Sequence, residues 1–469
     1  MTVKKGQNIE LEITDWAFGG RGLAKKDGLA VFVDGVIPQD RVMVRIFRKK
    51  KNYAEARLVS ISEPSPFRVT PPCKYSTQGA EIRCGGCKCQ FLAYPQQLEY
   101  KRQQVADALA HIGNLDGVQV HPTIPSEKIY GYRNKMEFTF SDWRWLLQDE
   151  LGKEGIDRSF ALGLHVPGTF YKVLDMDACL IQPDYGNRIL QETRQYIRQS
   201  GVPVYGLRTH QGYWRFLMLR HSVASDRWMV NIVTASEDLK TIRSLAQHLM
   251  ETCPEIDTII NNITSRKASV AIGESEILLH GSGTIADKIG PYEFSISANS
   301  FFQTNTRGAT RLYEIVKKYA ALNGDEIVAD LYSGTGAIAI FLSDSARTVI
   351  GIEINASAIT DANNNCQRNH VTNCKFLQGD IKGVLSQIDT PPDVMIIDPP
   401  RSGMHPDVVK QVLALAPPRI IYVSCNPATF ARDIGLMKDV YTLTEVQPVD
   451  MFPHTHHIEA VGRLEKTPV

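Results

Sequence analysis

Hydrophobic and polar positions follow three different rhythms along the chain. Up to residue 62, short stretches such as NIELEI, RVMVRIF and AEARLVSI alternate apolar with polar residues, and glycines punctuate them. A period of two puts one face of each strand against a core, and strands at this spacing predict a small β-barrel. SEPSPFRVTPPC, residues 62–73, has four prolines and no period, and reads as a linker. Residues 63–290 mix strand-like runs (KMEFTF, RWMVNIVT, VAIGE) with helical ones (YPQQLEYKRQQVADALAHIG), an α+β unit whose topology the pattern leaves open. From 291 to 469, the nearly continuous apolar runs IVADL, TVIGIEI, CKFLQ, DVMIID and RIIYVS alternate with helical stretches. Strands buried on both faces are expected there, in a doubly wound α/β sheet.

Composition adds three constraints. At 469 residues the chain exceeds what one core supports, and 43% apolar with 22% charged residues suits a folded protein. The net charge of +1 conceals a basic N-terminal part, with 12 Lys and Arg against 7 Asp and Glu over residues 1–60 and a solid run Arg48-Lys49-Lys50-Lys51. Such a run is either a solvated loop tip or a phosphate-contacting edge. The start, MTVKKGQNIELEI, has no apolar signal core, and no apolar run reaches the length of a membrane span, so a cytoplasmic protein with no membrane partner is expected. In a reducing compartment nine cysteines favour metal or catalytic uses over disulfides. Nothing calls for a second chain, and a monomer is assumed.

The candidate chemistry lies at the ends of the C-terminal strands, where ligands gather in open α/β sheets. Asp330-Leu331-Tyr332-Ser333-Gly334-Thr335-Gly336 turns the first strand into a helix, with one G-x-G and no third glycine, which disfavours a dinucleotide. Glu353 ends the second strand, where an acid can accept hydrogen bonds from ribose hydroxyls. With Asp380 and Asp398 closing the third and fourth strands, it outlines a nucleoside pocket. Cys425 leaves the fifth strand directly before Asn426-Pro427.

ANSFFQTN (298–305), DLYSGTGAIA (330–339), GIE (351–353), DPPR (398–401), SCNPATFARD (424–433) and MFPHTHHIE (451–459) follow in this order. By them the chain resembles the RNA uracil-C5 methyltransferases that use S-adenosylmethionine, across the whole of residues 291–469. The resemblance implies a Rossmann-like methyltransferase domain there, and an OB-like TRAM barrel, an RNA binder, over residues 1–62. It implies Cys425 as nucleophile, Glu459 as base, and Gln303, Tyr332, Glu353 and Asp398 at the methyl donor. Uracil C5 is too weak a nucleophile to take a methyl group directly. A thiolate adding to C6 pushes electron density onto C5 and leaves again readily. A cytosine-C5 enzyme would carry a Pro-Cys pair where this chain has DPPR, and an RNA-binding assembly factor with a vestigial pocket is the alternative outside enzymes.

Cys73, Cys84 and Cys87 lie in CKYSTQGAEIRCGGCKCQ, and Cys179 in DMDACLIQ. Spacing alone leaves zinc, an iron–sulfur cluster and a CGGC redox pair open. The resemblance implies a [4Fe–4S] cluster on Cys73, Cys84, Cys87 and Cys179 in the central unit, with Cys89 as the substitute for Cys73. No C-x₃-C-x₂-C is present, so radical chemistry on the methyl donor is not expected. Barrel plus cysteines resembles the ribosomal-RNA branch, making 23S rRNA the expected substrate and tRNA the alternative. Lys49 to Lys51, Trp16, Phe18, Tyr53, Arg133 and Lys135 are candidate RNA contacts. His454, His456 and His457 read as RNA contact or packing rather than a metal site.

Overall fold

A computed structural model describes residues 3–77, 79, 81, 83–267, 271–386 and 390–468. The expected barrel consists of six strands in the order Asn8–Glu12, Arg41–Lys49, Tyr53–Glu63, Leu29–Asp34, Arg21–Lys26, Asp15–Ala17. Alternation along these strands sends Ile9, Leu11, Val31, Val33, Val42, Val44 and Ile46 into one core. The proline-rich stretch that follows is firmly attached rather than loose. Arg68 forks onto the fully buried Asp40 at 2.8 and 2.7 Å, and Asp40 also accepts the backbone N–H groups of Ile37 and Ser65. A carboxylate deprived of water needs several donors, and a bidentate guanidinium supplies two at fixed geometry.

The central sheet has the order Ala161–Gly163, Lys135–Ser141, Trp214–His221, Trp228–Thr234, Ile256–Ile263, Ser275–His280. The strand expected at VAIGE is displaced: residues 271–274 are irregular, the last strand begins at Ser275, and residue 270 lies outside the described residues.

The C-terminal sheet carries the expected parallel strands in the order Cys374–Gln378, Thr348–Glu353, Ile327–Leu331, Val394–Ile397, Arg419–Ser424. Beyond them lie Glu459–Lys466 and Tyr441–Val449, each antiparallel to its predecessor, and an edge pair, Gln119–Val120. That edge comes from the sequence block 63–290. So does helix Tyr94–His111, which buries Val105, Ala108 and Leu109 in the same core as Phe430 and Ile434 of helix Pro427–Gly435. The hairpin Thr284–Ile289/Tyr292–Ser297 also packs into the C-terminal core, with Ile285, Phe294 and Ile296 beside Leu312 and Phe341. The central and C-terminal blocks of sequence therefore interleave in space. Among the described residues no helix is long and apolar enough to cross a membrane.

Replacing Arg68 with Met should strand the Asp40 charge and lower stability by about 3 kcal/mol, read from denaturant melts of the full chain.

Candidate active site

Three left-handed residues within five turn the first parallel strand into its helix: Tyr332 (φ 63°), Gly334 (φ 55°) and Gly336 (φ 76°). At Gly336 a side chain is excluded twice, since a Cβ would also stand 2.7 Å from the Phe376 ring. Tyr332 pays the strain of a conformation that non-glycine residues rarely adopt, as residues at binding sites often do. The tight turn opens two adjoining cavities at the strand tips, with Tyr332 and Pro400 in the wall of both.

One cavity, about 460 Å³, is lined by Ile352, Glu353, Ile354, Asp380, Ile381 and Met404 among others. Glu353 accepts the Gly334 N–H at 3.1 Å and the Asn355 N–H at 2.8 Å, so it both braces the glycine turn and faces the space beside it. Asp380 caps helix Ile381–Leu385, accepting the Lys382 N–H at 2.9 Å.

The other, about 370 Å³, is lined by Gln303, Tyr313, Asp330, Tyr332, Asp398, Arg401, Phe452, Cys425 and Glu459. Two loops bring thiol and base there. Asn426 begins helix Pro427–Gly435, its side chain accepting the Ala428 N–H and donating to the Arg401 carbonyl at 3.0 Å. Thr429 donates to the same carbonyl at 3.3 Å, so the SCNP turn grips the DPPR turn. Glu459 enters as the first residue of its strand, paired with Val449.

The electrostatics of this chamber are set by burial. Desolvation first, and then the Asp398 charge, pushes the Glu459 carboxyl up to about 8. Asp398 itself rises to about 7 through desolvation. Cys425 is pushed up to about 11 by desolvation and the neighbouring Glu459, with Arg401 opposing. Asp330 is fully buried beneath them and driven well above the carboxylate range by desolvation and by Asp398. The Arg401 charge lowers both Cys425 and Glu459, and its guanidinium stands 3.3 Å from His457 Nδ1. Acidic groups crowded in little water suit a cationic ligand and a proton acceptor active near neutral pH.

Gln303, Tyr332, Asp398, Cys425 and Glu459, far apart in sequence, thus share one cavity, while Glu353 faces the adjoining one. The sequence reading missed Arg401, Asp330, Tyr313 and Phe452 as individual residues. Arg401, Asp330 and Phe452 stood inside quoted motifs, but Tyr313 sits mid-helix, where no residue pattern marks it.

Cys84 and Cys179 lie in the central core with Cys73 and Cys87 packed against it. Burial raises all four thiols, and their charges are felt mutually: Cys84 by Cys87, Cys179 and Cys73, and Cys87 by Cys179 and Cys73. Cys89 belongs elsewhere, buried with Trp16, Phe91 and Leu92 and pointing its thiol to Gln97 and the Thr455 carbonyl. Among the described residues no three His, Cys, Asp or Glu side chains converge on a single ion position.

Of the candidate RNA contacts, Trp16 is core, packed near Tyr100. Phe18 is exposed, edge-on to His456, and Tyr53 stands edge-on to Phe32. Lys49, Lys50 and Lys51 are exposed. Arg133 donates to the Lys135 carbonyl at 2.9 Å.

A doubly wound sheet with a tight glycine turn, an acid ending its second strand and a two-part cavity at its tips defines an S-adenosylmethionine-dependent methyltransferase fold. Residues 218–383 and 384–467 match the tRNA (uracil-5-)-methyltransferase family and residues 2–59 the TRAM domain. The chain belongs to this family of RNA methyltransferases. It is 41% identical to an RNA methyltransferase of Chlorobaculum tepidum, covering 99% of this chain and 97% of that protein. It is 42% identical to one of Bacteroides thetaiotaomicron, covering 95% and 99%. The crystal structure of Pyrococcus abyssi tRNA (uracil-54, C5)-methyltransferase with S-adenosyl-L-homocysteine superimposes with a TM-score of 0.75 at 28% identity, covering 97% of this chain and all of that one.

The raised Glu459 carboxyl has two consequences of known sign. Folded protein binds its proton more tightly than unfolded protein, so wild-type stability falls as pH rises from 4.5, the ordinary value, to about 8. Glu459→Gln should melt with wild type below pH 4.5 and above it at pH 8 and higher, while wild-type turnover climbs with pH through about 8. Thermal melts and rate profiles across pH 4–9.5 check both, and equal melting temperatures at pH 9 would show that the carboxyl is not destabilised by burial.

Proposed function

We propose that this enzyme methylates C5 of a uridine in structured RNA, in the cytoplasm, through a covalent bond between Cys425 and the pyrimidine. Gln303, Tyr332, Glu353 and Asp398 would hold S-adenosylmethionine, whose sulfonium supplies an electrophilic methyl group. The orphaned acidity of the chamber, with the buried Asp330 carboxylate lacking a side-chain partner, fits a cationic guest. Cys425 gives its thiol proton to solvent and adds to C6 as thiolate, the C5–C6 π electrons shifting toward C5 and the neighbouring carbonyl oxygen, which makes C5 nucleophilic. Once C5 carries the methyl group, Glu459 takes the C5 proton, the C5–C6 double bond re-forms and the thiolate leaves. Arg401, lowering both groups, favours the thiolate and the carboxylate forms these steps require. The observation that carries this reading is the meeting of Cys425 and Glu459 in one cavity with the methyl-donor residues. A uracil reaching that cavity must be unpaired or flipped out of its helix.

Barrel and cysteine set favour 23S ribosomal RNA. The Pyrococcus abyssi enzyme, which its name assigns to uridine 54 of tRNA, supports transfer RNA as the second reading. The four central cysteines would hold a [4Fe–4S] cluster, whose role beside the barrel is structural.

Cys425→Ala should abolish turnover and the covalent adduct with 5-fluorouridine RNA, seen as a shifted band on denaturing gels, and retention of either removes the role. Mass-spectrometric mapping of 5-methyluridine in ribosomal and transfer RNA from a deletion strain separates the two substrates. Anaerobically purified protein should carry about four irons per chain with thiolate-to-iron absorbance, and stoichiometric zinc would overturn the cluster.

A further inference from the structure

Glu459 begins the second strand of an antiparallel pair whose connecting turn, residues 450–458, has few ties to its own sheet. Within the C-terminal core, Asn305 donates to the Met451 carbonyl at 2.8 Å. Most of the remaining ties come from the part of the chain that precedes residue 135. Lys101 and Gln97 stand one helical turn apart on helix Tyr94–His111, both completely buried. Lys101 Nζ donates to Asp450 Oδ1 at 2.7 Å and to the Phe452 carbonyl at 3.1 Å, and Asp450 is likewise completely buried. The Gln97 side chain accepts the His454 N–H at 3.0 Å. Its amide nitrogen lies 2.7 Å from the Leu92 carbonyl, 3.2 Å from the Cys89 carbonyl and 3.2 Å from His454 Nδ1. The Lys88 and Cys89 N–H groups both reach the His454 carbonyl, at 2.8 and 3.2 Å, and Tyr132 donates to the Pro453 carbonyl at 3.1 Å. His454 itself is held in the left-handed region at φ 64°, a conformation that needs such over-determination.

A helix normally presents apolar residues to a core, and two uncompensated polar side chains there would be costly. Here, among the described residues, Lys101 finds its partners on Asp450 and Phe452, and Gln97 finds its own on His454 and the segment from Cys89 to Leu92. The 450–455 turn also supplies Phe452 to the catalytic cavity, and residues 456–458 lead from it to Glu459.

We propose that Gln97 and Lys101 are positioning residues for Glu459: by pinning the 450–455 turn from outside its own sheet, they fix where the base stands relative to the Cys425–pyrimidine bond. This rests on the function proposed above. The two residues touch no reacting atom. Their effect falls on the step that uses Glu459, removal of the C5 proton and release of the thiolate, and not on methyl-donor binding or on the first bond of Cys425 to C6.

The test uses the full chain, with Gln97→Met and, so that no buried charge is orphaned, the double variant Lys101→Met/Asp450→Leu. Three quantities are measured: S-adenosylhomocysteine affinity by calorimetry, the rate at which uridine RNA becomes covalently attached in the presence of methyl donor, and the rate at which the attached, methylated RNA is released. Release should slow by roughly tenfold or more, part of the 10²–10⁴ that a general base is worth, so that adduct accumulates, while affinity and attachment stay within about twofold of wild type. Release at the wild-type rate in both variants overturns the proposal. So does a parallel fall of all three quantities, which marks a merely structural role. If wild-type protein forms no adduct with 5-fluorouridine RNA, the failure lies with the proposed function and not with these residues.

Discussion

Desolvation is the constraint on which the catalytic site depends. A thiol and the carboxyls of Asp330, Asp398 and Glu459 are gathered where water is scarce, and the Asp398 charge makes the other three harder still to ionise. In water they would all be unremarkable, the carboxyls fully charged and too weakly basic to take a proton from carbon. In the chamber the Glu459 carboxyl is pushed up to about 8 and the Cys425 thiol to about 11, so both hold their protons more tightly than in water. The same arrangement is destabilising for the fold, a cost that active sites commonly carry.

Such a chamber needs walls that hold against that repulsion, and the architecture provides them by interleaving. Helix Tyr94–His111 precedes the central sheet in the chain yet packs on the C-terminal one, and strand Gln119–Val120 extends that sheet at its edge. The chain then leaves to build the central sheet and returns through hairpin Thr284–Ile289/Tyr292–Ser297. Asn134, at the entry to the central sheet, donates to the Gln303 carbonyl and to Thr306, joining that sheet to the segment that lines the cavity. The cysteine-bearing segment reaches the turn before Glu459 directly, through the N–H groups of Lys88 and Cys89. The cysteines are thus mechanically close to the chemistry without entering it.

Particular elements show where sequence reading succeeds. IVADL, TVIGIE, DVMII and RIIYVS announced parallel strands because a strand covered on both faces is apolar at every position, and the glycine turn announced itself because only glycine tolerates position 336. SEPSPFRVTPPC lies outside every helix and strand past Glu63, as its prolines require, but prolines say nothing about Asp40, and it is the Arg68–Asp40 fork that fixes the stretch. VAIGE misled, as an apolar run too short to fix where its strand begins. In sequence Cys89 stands two residues from Cys87, and it is its packing against Trp16 and Leu92 that sets it apart from Cys73, Cys84, Cys87 and Cys179.

What the sequence determined alone was the set of local identities: period-two strands in a barrel, buried strands in a doubly wound sheet and a thiol at a strand exit. These follow from neighbours a few residues apart, the range over which periodicity and turn chemistry act. The tertiary structure alone decided that helix Tyr94–His111 serves the C-terminal sheet, that Cys425, Asp398 and Glu459 share one cavity, and that their proton affinities are displaced. Each of these depends on how much water is excluded and on which distant groups meet, and burial and through-space charge have no signature along the chain.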